Sequence, residues 1–332
     1  MDSLTQIVLG AAVGEAVLGK KVGNKAMLYG AIAGTIPDLD VLASNLTDTT
    51  NALALHRGFT HSIVFSVVFG LLSGWLVSRF EKYKDIKGWT QLFFWAFVTH
   101  PLLDAHTTWG TQLFWPLDVR LAFQSVFVID PLYTLPFLVF LILAMTCKRI
   151  DPKRRFYNTL GLGISSLYLI TTLGLKGYAH AQFKAALEVQ NISYTDVDTR
   201  PSPMNTILWS ANVDIKDAYL LGNYSFFDTQ PISFEAYPKN HHLLGRLIEN
   251  ERIQRMIHIS KGWFVITKED GTLYFNDLRF GLLTFGAGST DFVFKYKISE
   301  SESGSVELTE VAKDQQDGKK LLAELWERVK GN

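Results

Sequence analysis

Two kinds of hydrophobic patterning divide the chain. As far as residue 178, apolar residues run together in long stretches; beyond it they fall into short alternating segments. Ser62–Ser78 carries no charge and as a helix would extend about 25 Å, close to the thickness of a bilayer's hydrocarbon core. Pro131–Cys147 and Phe156–Leu175 are similar, while Trp89–Leu103 is shorter and includes His100, as expected of a helix with a polar end. Ile7–Gly19 and Ala26–Ile36 are shorter again, and Gly10 and Gly14, then Gly30 and Gly34, recur four apart. That spacing lets two helix backbones pack closely in lipid and predicts a tight hairpin. The expected architecture is an α-helical multi-pass membrane bundle of about six segments, the first two short. A buried soluble helical core is the alternative for this half.

Past Tyr178, β-rich stretches appear at Ile192–Val197, Thr206–Ile215, Ala218–Phe227, Trp263–Thr267, Thr272–Leu278 and Asp291–Ile298. Helical patterns fit Leu244–Ile257 and Lys319–Lys330, and turn formers such as Glu269-Asp270-Gly271 separate some of the elements. The reading is a membrane-embedded helical domain over 1–178, then an extramembrane α+β domain over 179–332.

Charge changes the picture by giving the bundle a direction. Lys20–Lys25, Arg79–Gly88 and Lys148–Arg155 hold nearly all the basic residues of the first half, whereas Pro37–Thr60 and Ala105–Gln124 hold only Arg57 and Arg120. A path alternating through six segments puts the three basic loops on one side, which the positive-inside rule makes cytoplasmic. The second domain is then extracytoplasmic. With 32 basic and 32 acidic residues among 332, nothing argues for bulk attraction to nucleic acid. The 48% hydrophobic and 19% charged composition excludes a soluble one-domain enzyme and a disordered chain. Cys147, the sole cysteine, excludes a disulfide scaffold and a thiolate zinc site. Met1–Gln6 lacks the basic start of a cleavable signal, so the first helix is expected to be retained.

The polar residues between Pro37 and Pro131 carry the candidate chemistry. They are Asp38 and Asp40 in TIPDLDVL; His56, Arg57, Thr60 and His61 in HRGFTHS; His100, Asp104 and His106 in THPLLDAHTTWG; and Asp130 in IDPLY. The topology brings them to one outer end of different helices. His100 and Asp104, four apart, share a helix face. Mixed imidazole and carboxylate donors suit Zn, Mn or Fe rather than Mg or Ca. Asp38, Asp40, His56, His61, His100 and Asp104 make six such groups, which exceed one tetrahedral site and would serve two metals, able to activate water and stabilise both oxygens of a phosphoryl displacement. Taken singly, each is more often a helix cap or a solvated group, but ionisable residues clustered at a membrane mark function. Glu15, inside an apolar glycine-rich helix, reads as a buried structural partner; Asp2 and Gln6 either orient a ligand or cap the helix. Arg57 either holds an anionic oxygen or pairs with an aspartate. His241, His242 and His258 lack carboxylates at matching spacing and read as surface or turn residues.

PDLD, HRGFTHS and HPLLDAHTTWGTQLFWP, with the opening MDSLTQIVLGAAVGEA, resemble the YdjM-like family of bacterial inner-membrane proteins, regarded as membrane-bound metal-dependent hydrolases. The resemblance covers roughly residues 1–175. It implies metal ligands at Asp38, Asp40, His56, His61, His100 and Asp104, with Thr107, Gly110 and Pro116 shaping the loop. One departure is Gln6, where some relatives carry His. The hydrolase description rests on a distant likeness to zinc-dependent phospholipase C, whose ligand set is not matched strictly here.

The expected function is therefore a hydrolase of a phosphoester or other ester in a lipid or lipid-linked substrate, at the outer face of a bacterial inner membrane. It would use one or two divalent ions, Zn first, with Arg57 neutralising phosphate and His106 protonating the leaving group. Two other classes use the same residues. A metal-ion or proton transporter would run through Glu15, and a non-catalytic binding protein would be stapled by a closed metal shell.

Overall fold

The computed structural model describes residues 1–44, 47–284, 288–301, 305–312 and 318–332. Its chain divides into two compact units, one built from residues 1–46, 55–174 and 203–205, the other from 47–54, 175–202 and 206–332.

The first unit is helical. Helix α1 (Ser3–Val22) starts at Asp2, whose carboxylate accepts the Thr5 amide proton, and stops at Gly23, where φ is +66°. Helix α2 (Asn24–Thr35) folds straight back along α1. A Cβ on Gly10 would lie 2.2 Å from the Gly30 carbonyl oxygen, and one on Gly30 would lie 2.1 Å from that of Gly10. Gly14 against Ala26 and Gly34 against Gln6 repeat the pattern, so the seam exists only because side chains are missing there. Pro37 then turns the chain into a short 3-10 segment, Ile36–Leu39, and helix α3 (Asp40–Ser44).

Helix α4 (Thr49–Leu55) leads to a 3-10 turn, Phe59–His61. Ser62 then caps helix α5 (Ile63–Phe80) by accepting the Phe65 amide proton. Helix α6 (Ile86–Asp104) begins at Asp85, which caps Gly88, and ends within a turn of Pro101. Helix α7 (Pro131–Thr146) is capped by Asp130, and α8 (Pro152–Val189) gives its residues to Gly174 to this unit and the rest to the other. The core between α1, α2, α6 and α7 is apolar: Val8, Ala12, Met27, Trp89, Leu92, Phe97 and Phe137 are all buried in it.

Among the described residues two helices, Ile63–Phe80 and Pro152–Val189, are long and apolar enough to cross a membrane; α7 is apolar but has only 16 residues. The helical region with two candidate spans, followed by an α+β domain, is thus the architecture; α1 and α2 form the close-packed pair that their glycines predict. Glu15 is buried in α1 against Arg154 of α8, which donates from Nε to Oε1 at 2.6 Å and from a terminal nitrogen to Oε2. Arg154 also donates to Asn24 Oδ1 at 2.6 Å, so this carboxylate sits in a closed structural network.

The second unit holds two antiparallel four-stranded sheets in sequential order. The first contains β1 (Asp196–Pro201), β2 (Leu208–Asp214), β3 (Ala218–Ser225) and β4 (Phe234–Pro238). The second contains β5 (Phe264–Glu269), β6 (Thr272–Leu282), β7 (Phe292–Glu300) and β8 (Val306–Glu310). Strands β4 and β8 have no counterpart in the sequence reading. The helix expected over Leu244–Ile257 is split into a 3-10 segment, His241–Glu249, and helix α9 (Glu251–Ile259). The break has a local cause. Gly245 sits at φ +48°, and Asn250 is extended so that its side chain can cap Arg252. Helix α10 (Gly318–Val329) closes the described chain.

Candidate metal centre

Four of the sequence-selected residues meet at one point. Asp38 comes from the 3-10 segment after α2, His61 from the turn before α5, and His100 and Asp104 from successive turns of α6. One ligating atom from each lies within 4.8 Å of all the others. His61 Nε2 is 3.1 Å from His100 Nε2, 3.3 Å from Asp38 Oδ1 and 3.3 Å from Asp104 Oδ2. His100 Nε2 is 3.4 Å from Asp38 Oδ1 and 3.6 Å from Asp104 Oδ2. A tetrahedron with metal–ligand bonds of about 2.0–2.1 Å has edges of about 3.3 Å. The donor set therefore has the spacing, and the chemistry, of one site for a divalent ion.

The protonation pattern agrees. His100 Nδ1 donates to the Gly34 carbonyl at 2.7 Å, which the glycine seam brings to α6 by holding α2 against α1. His61 Nδ1 donates to Thr60 Oγ1 at 3.0 Å, and Thr60 passes its own proton to Asp40 Oδ2 at 3.0 Å. With Nδ1 committed to these oxygens, both imidazoles present Nε2 to the centre, the arrangement that orients metal-ligating histidines. Asp104 Oδ2 is buried and receives no hydrogen bond, while its Oδ1 accepts from Gln6 Nε2 at 3.0 Å and from the Met1 amino group. The charge of this buried carboxylate is met by the Arg57 guanidinium, whose Nε lies 3.3 Å from Oδ2, and by the Met1 amino group on Oδ1, which leaves Oδ2 able to face the two imidazoles as a further donor.

Electrostatics reinforces the donors. Burial would raise Asp38, but the His100 and His61 imidazoles outweigh it and hold the carboxyl well below the usual range. Burial would lower His61, but Asp104 and Asp38 outweigh it and raise the imidazole, so a proton and a metal ion compete for the same place. His61, His100 and Asp104 are fully buried; Asp38 is 23% exposed and forms the open side.

The remaining residues singled out in the sequence lie around this cluster. Asp40 accepts from His56 Nδ1 at 3.0 Å, from the Arg57 amide at 2.9 Å and from Thr60, so it braces the turn behind His61. His56 is half-buried and faces Asp40 rather than the four converging donors. The Arg57 side chain is buried with Nε 3.3 Å from Asp104 Oδ2, and it donates from a terminal nitrogen to Thr107 Oγ1 at 2.9 Å. His106 lies outside the cluster with Nδ1 2.9 Å from Ser125 Oγ, and burial pushes its imidazole down. Asp130 and Asp2 act as helix caps, and Asp130 also accepts from Tyr168.

The loop between α6 and α7 clamps the turn from the other side. Thr111 pairs with Leu121, its hydroxyl donates to the His61 carbonyl at 3.2 Å, and the Gln112 amide donates to the Arg57 carbonyl at 3.0 Å. Gly110, at φ +73°, is required because a Cβ would lie 2.2 Å from the Leu121 carbonyl oxygen. The roles of Gly34 and Thr60 escaped the sequence reading. Gly34 acts through its backbone oxygen, which leaves no residue-type signature, and Thr60 differs from an ordinary turn threonine only in its neighbours.

These features define a membrane-protein class, an apolar helical unit carrying a buried Asp/His cluster able to hold a metal ion. The chain belongs to the YdjM inner membrane protein family, whose model matches residues 1–183. It is 36% identical over 99 residues to the inner membrane protein YbcI of Escherichia coli K12, covering 30% of this chain and 57% of that protein. It is 30% identical over 142 residues to the uncharacterized protein YfhP of Bacillus subtilis 168, covering 40% and 42% respectively. The matched stretches thus span only about half the length of these relatives. No solved structure matches the chain.

Proposed function

We propose that this protein is a membrane-bound, metal-dependent hydrolase of the inner membrane, acting on a phosphoester or other ester of a lipid or lipid-linked molecule. The observation that carries the reading is the convergence of Asp38, His61, His100 and Asp104 with their lone pairs facing one point, open on the Asp38 side. A divalent ion held there, Zn before Mn or Fe, would polarise the ester and lower the pKa of water beside it. Asp38 admits substrate. Asp40 and Thr60 keep His61 in its Nε2-acceptor form, and Gly34 does the same for His100. Arg57, paired through Nε with Asp104 at 3.3 Å, keeps its guanidinium charge beside the centre, where it would help neutralise an anionic oxygen. His106, with Nδ1 committed to Ser125, keeps Nε2 to exchange a proton with the leaving group.

The basic loops support an orientation with the α+β domain outside the cytoplasm, and the remaining apolar helices support a bundle of about six membrane segments. Purified protein loaded with Zn should release headgroups from phospholipid or lipid-linked phosphate, and His61→Ala and Asp104→Ala should not. Equal turnover by wild type and both variants would overturn the assignment. One observation favours a second reading. Four protein donors complete a tetrahedron, as in structural sites. Metal that raises thermal stability, with no hydrolysis across the substrate panel, would select the staple.

A further inference from the structure

Both segments beside the turn that carries His61 expose apolar side chains. Leu39 and Leu42 flank the Asp38–Asp40 pair and are half or more exposed; Phe114, Trp115, Leu117 and Val119 project from the loop between α6 and α7. The loop is fixed by the Thr111–Leu121 pairing, by the Ile63 amide donating to the Leu113 carbonyl at 3.0 Å, and by Trp115 packed on Phe59 with ring centres 5.0 Å apart. Their exposure is therefore a property of an ordered surface.

That surface is continuous with the exposed apolar face of a helix able to cross a membrane. The exposed face of α5, one of the two helices able to cross a membrane, runs through Val64, Val67, Val68 and Leu71 and meets the loop at Ile63. A non-helical loop cannot lie in the hydrocarbon, where its backbone groups would find no partners. Exposed leucines and aromatics in open water forgo roughly 25 cal/mol for each Å² of apolar surface. The headgroup boundary satisfies both demands, and tryptophan is favoured there.

We infer that the α3 segment and the Leu113–Val119 loop form a collar seated in the headgroup boundary of the bilayer, so that Asp38 opens toward lipid rather than bulk water. The collar itself rests on exposure and on continuity with α5; only its meaning as a substrate entrance rests on the proposed hydrolase function. In that case the substrate is a membrane lipid taken from the bilayer, headgroup first.

The test uses the full chain in the Cys147→Ser background, with nitroxide labels at Leu117→Cys and, separately, Val119→Cys. The exposed Lys268 of the α+β domain, as Lys268→Cys, is the reference. In phosphatidylethanolamine–phosphatidylglycerol vesicles, both collar labels should collide with oxygen in preference to chromium oxalate, reversing the ratio at position 268. A ratio equal to that reference would overturn the collar, and so would protection from both reagents, which would mean that protein covers the loop. Neither metal nor turnover enters this readout. A lipid-facing collar on a protein without hydrolysis would sink the hydrolase and leave the collar standing.

Discussion

The Nε2 atoms of His61 and His100 face each other at 3.1 Å, each imidazole having committed its Nδ1 proton to a fixed oxygen. The carboxylates of Asp38 and Asp104 bring oxygen donors to within 3.6 Å of these two nitrogens, and Arg57 and the Met1 amino group hold Asp104 in place beside them. The fold holds this arrangement with a glycine seam, a 3-10 turn and a clamped loop, which is the behaviour of a site built around a cation.

The relay behind His61 separates ligands from supports. Asp40→Ala should weaken the metal by about 10–100-fold without abolishing binding, and Thr60→Val should act in the same direction. Asp104→Ala should abolish binding. Competition with a chromophoric chelator measures all three, and a complete loss in Asp40→Ala would make Asp40 a ligand instead.

The glycine seam is tied to the site through Gly34. Gly30→Ala places a methyl group 2.1 Å from the Gly10 carbonyl oxygen, and such overpacking costs about 1–3 kcal/mol. It should displace the Gly34 oxygen from His100 and weaken the metal although no ligand has changed. Thermal unfolding in detergent, read beside metal content, checks both effects; unchanged values in both would show that the seam tolerates a side chain.

Glu15 distinguishes a structural pair from an ion path. Removing its charge leaves Arg154 buried and unpaired, a loss of about 3–5 kcal/mol. Glu15→Gln should therefore unfold more easily, Glu15→Leu with Arg154→Leu should recover much of the loss, and each should keep its metal. Proteoliposome uptake of a labelled divalent ion that is abolished by Glu15→Gln, with stability unchanged, would instead favour transport.

The α+β unit carries its own pH dependence. Burial lowers His241 from 6.5, outweighing the opposing effect of its bond to the Phe264 carbonyl, and the ring stacks on Phe264 at 3.9 Å. The folded form thus holds a neutral ring while the unfolded chain takes up a proton below pH 6.5, so this stabilisation is full above 6.5 and fades as pH falls through the lowered value. Amide exchange in β5 and β6 should show protection declining toward acid in the wild type and a smaller decline in His241→Asn. An identical decline in the variant would remove His241 from the explanation.

Much of this was legible in the sequence because the physics is local. Glycines four apart announce a close helix pair, and His100 with Asp104 must share a helix face. The change of pattern near Tyr178 is equally plain, although α8 runs through it to Val189. What was hidden depends on direction. Asp38 and Asp40 are two apart, as are neighbours on one strand face, yet the 3-10 turn sends only Asp38 to the centre and Asp40 to the back of His61. His56 and His61 both fit a loop-to-helix junction, but the chain bends between them at Arg57, where φ is +60°, and His56 is held by Asp40 Oδ1 at 3.0 Å. Strand β4 was missed because Phe234–Pro238 is short and mixed, and β8 because Val306–Glu310 is equally short and buries only Val306 and Leu308, in a core shared with β5, β6, β7 and α9.

The most direct measurement is the metal content of detergent-purified protein, wild type beside His61→Ala and His56→Ala, after incubation with excess Zn or Mn and removal of unbound ion. Metal binding by the four converging residues predicts one equivalent in the wild type, none in His61→Ala and retention in His56→Ala. A wild type that holds no metal, or a His61→Ala protein that holds as much, would contradict it.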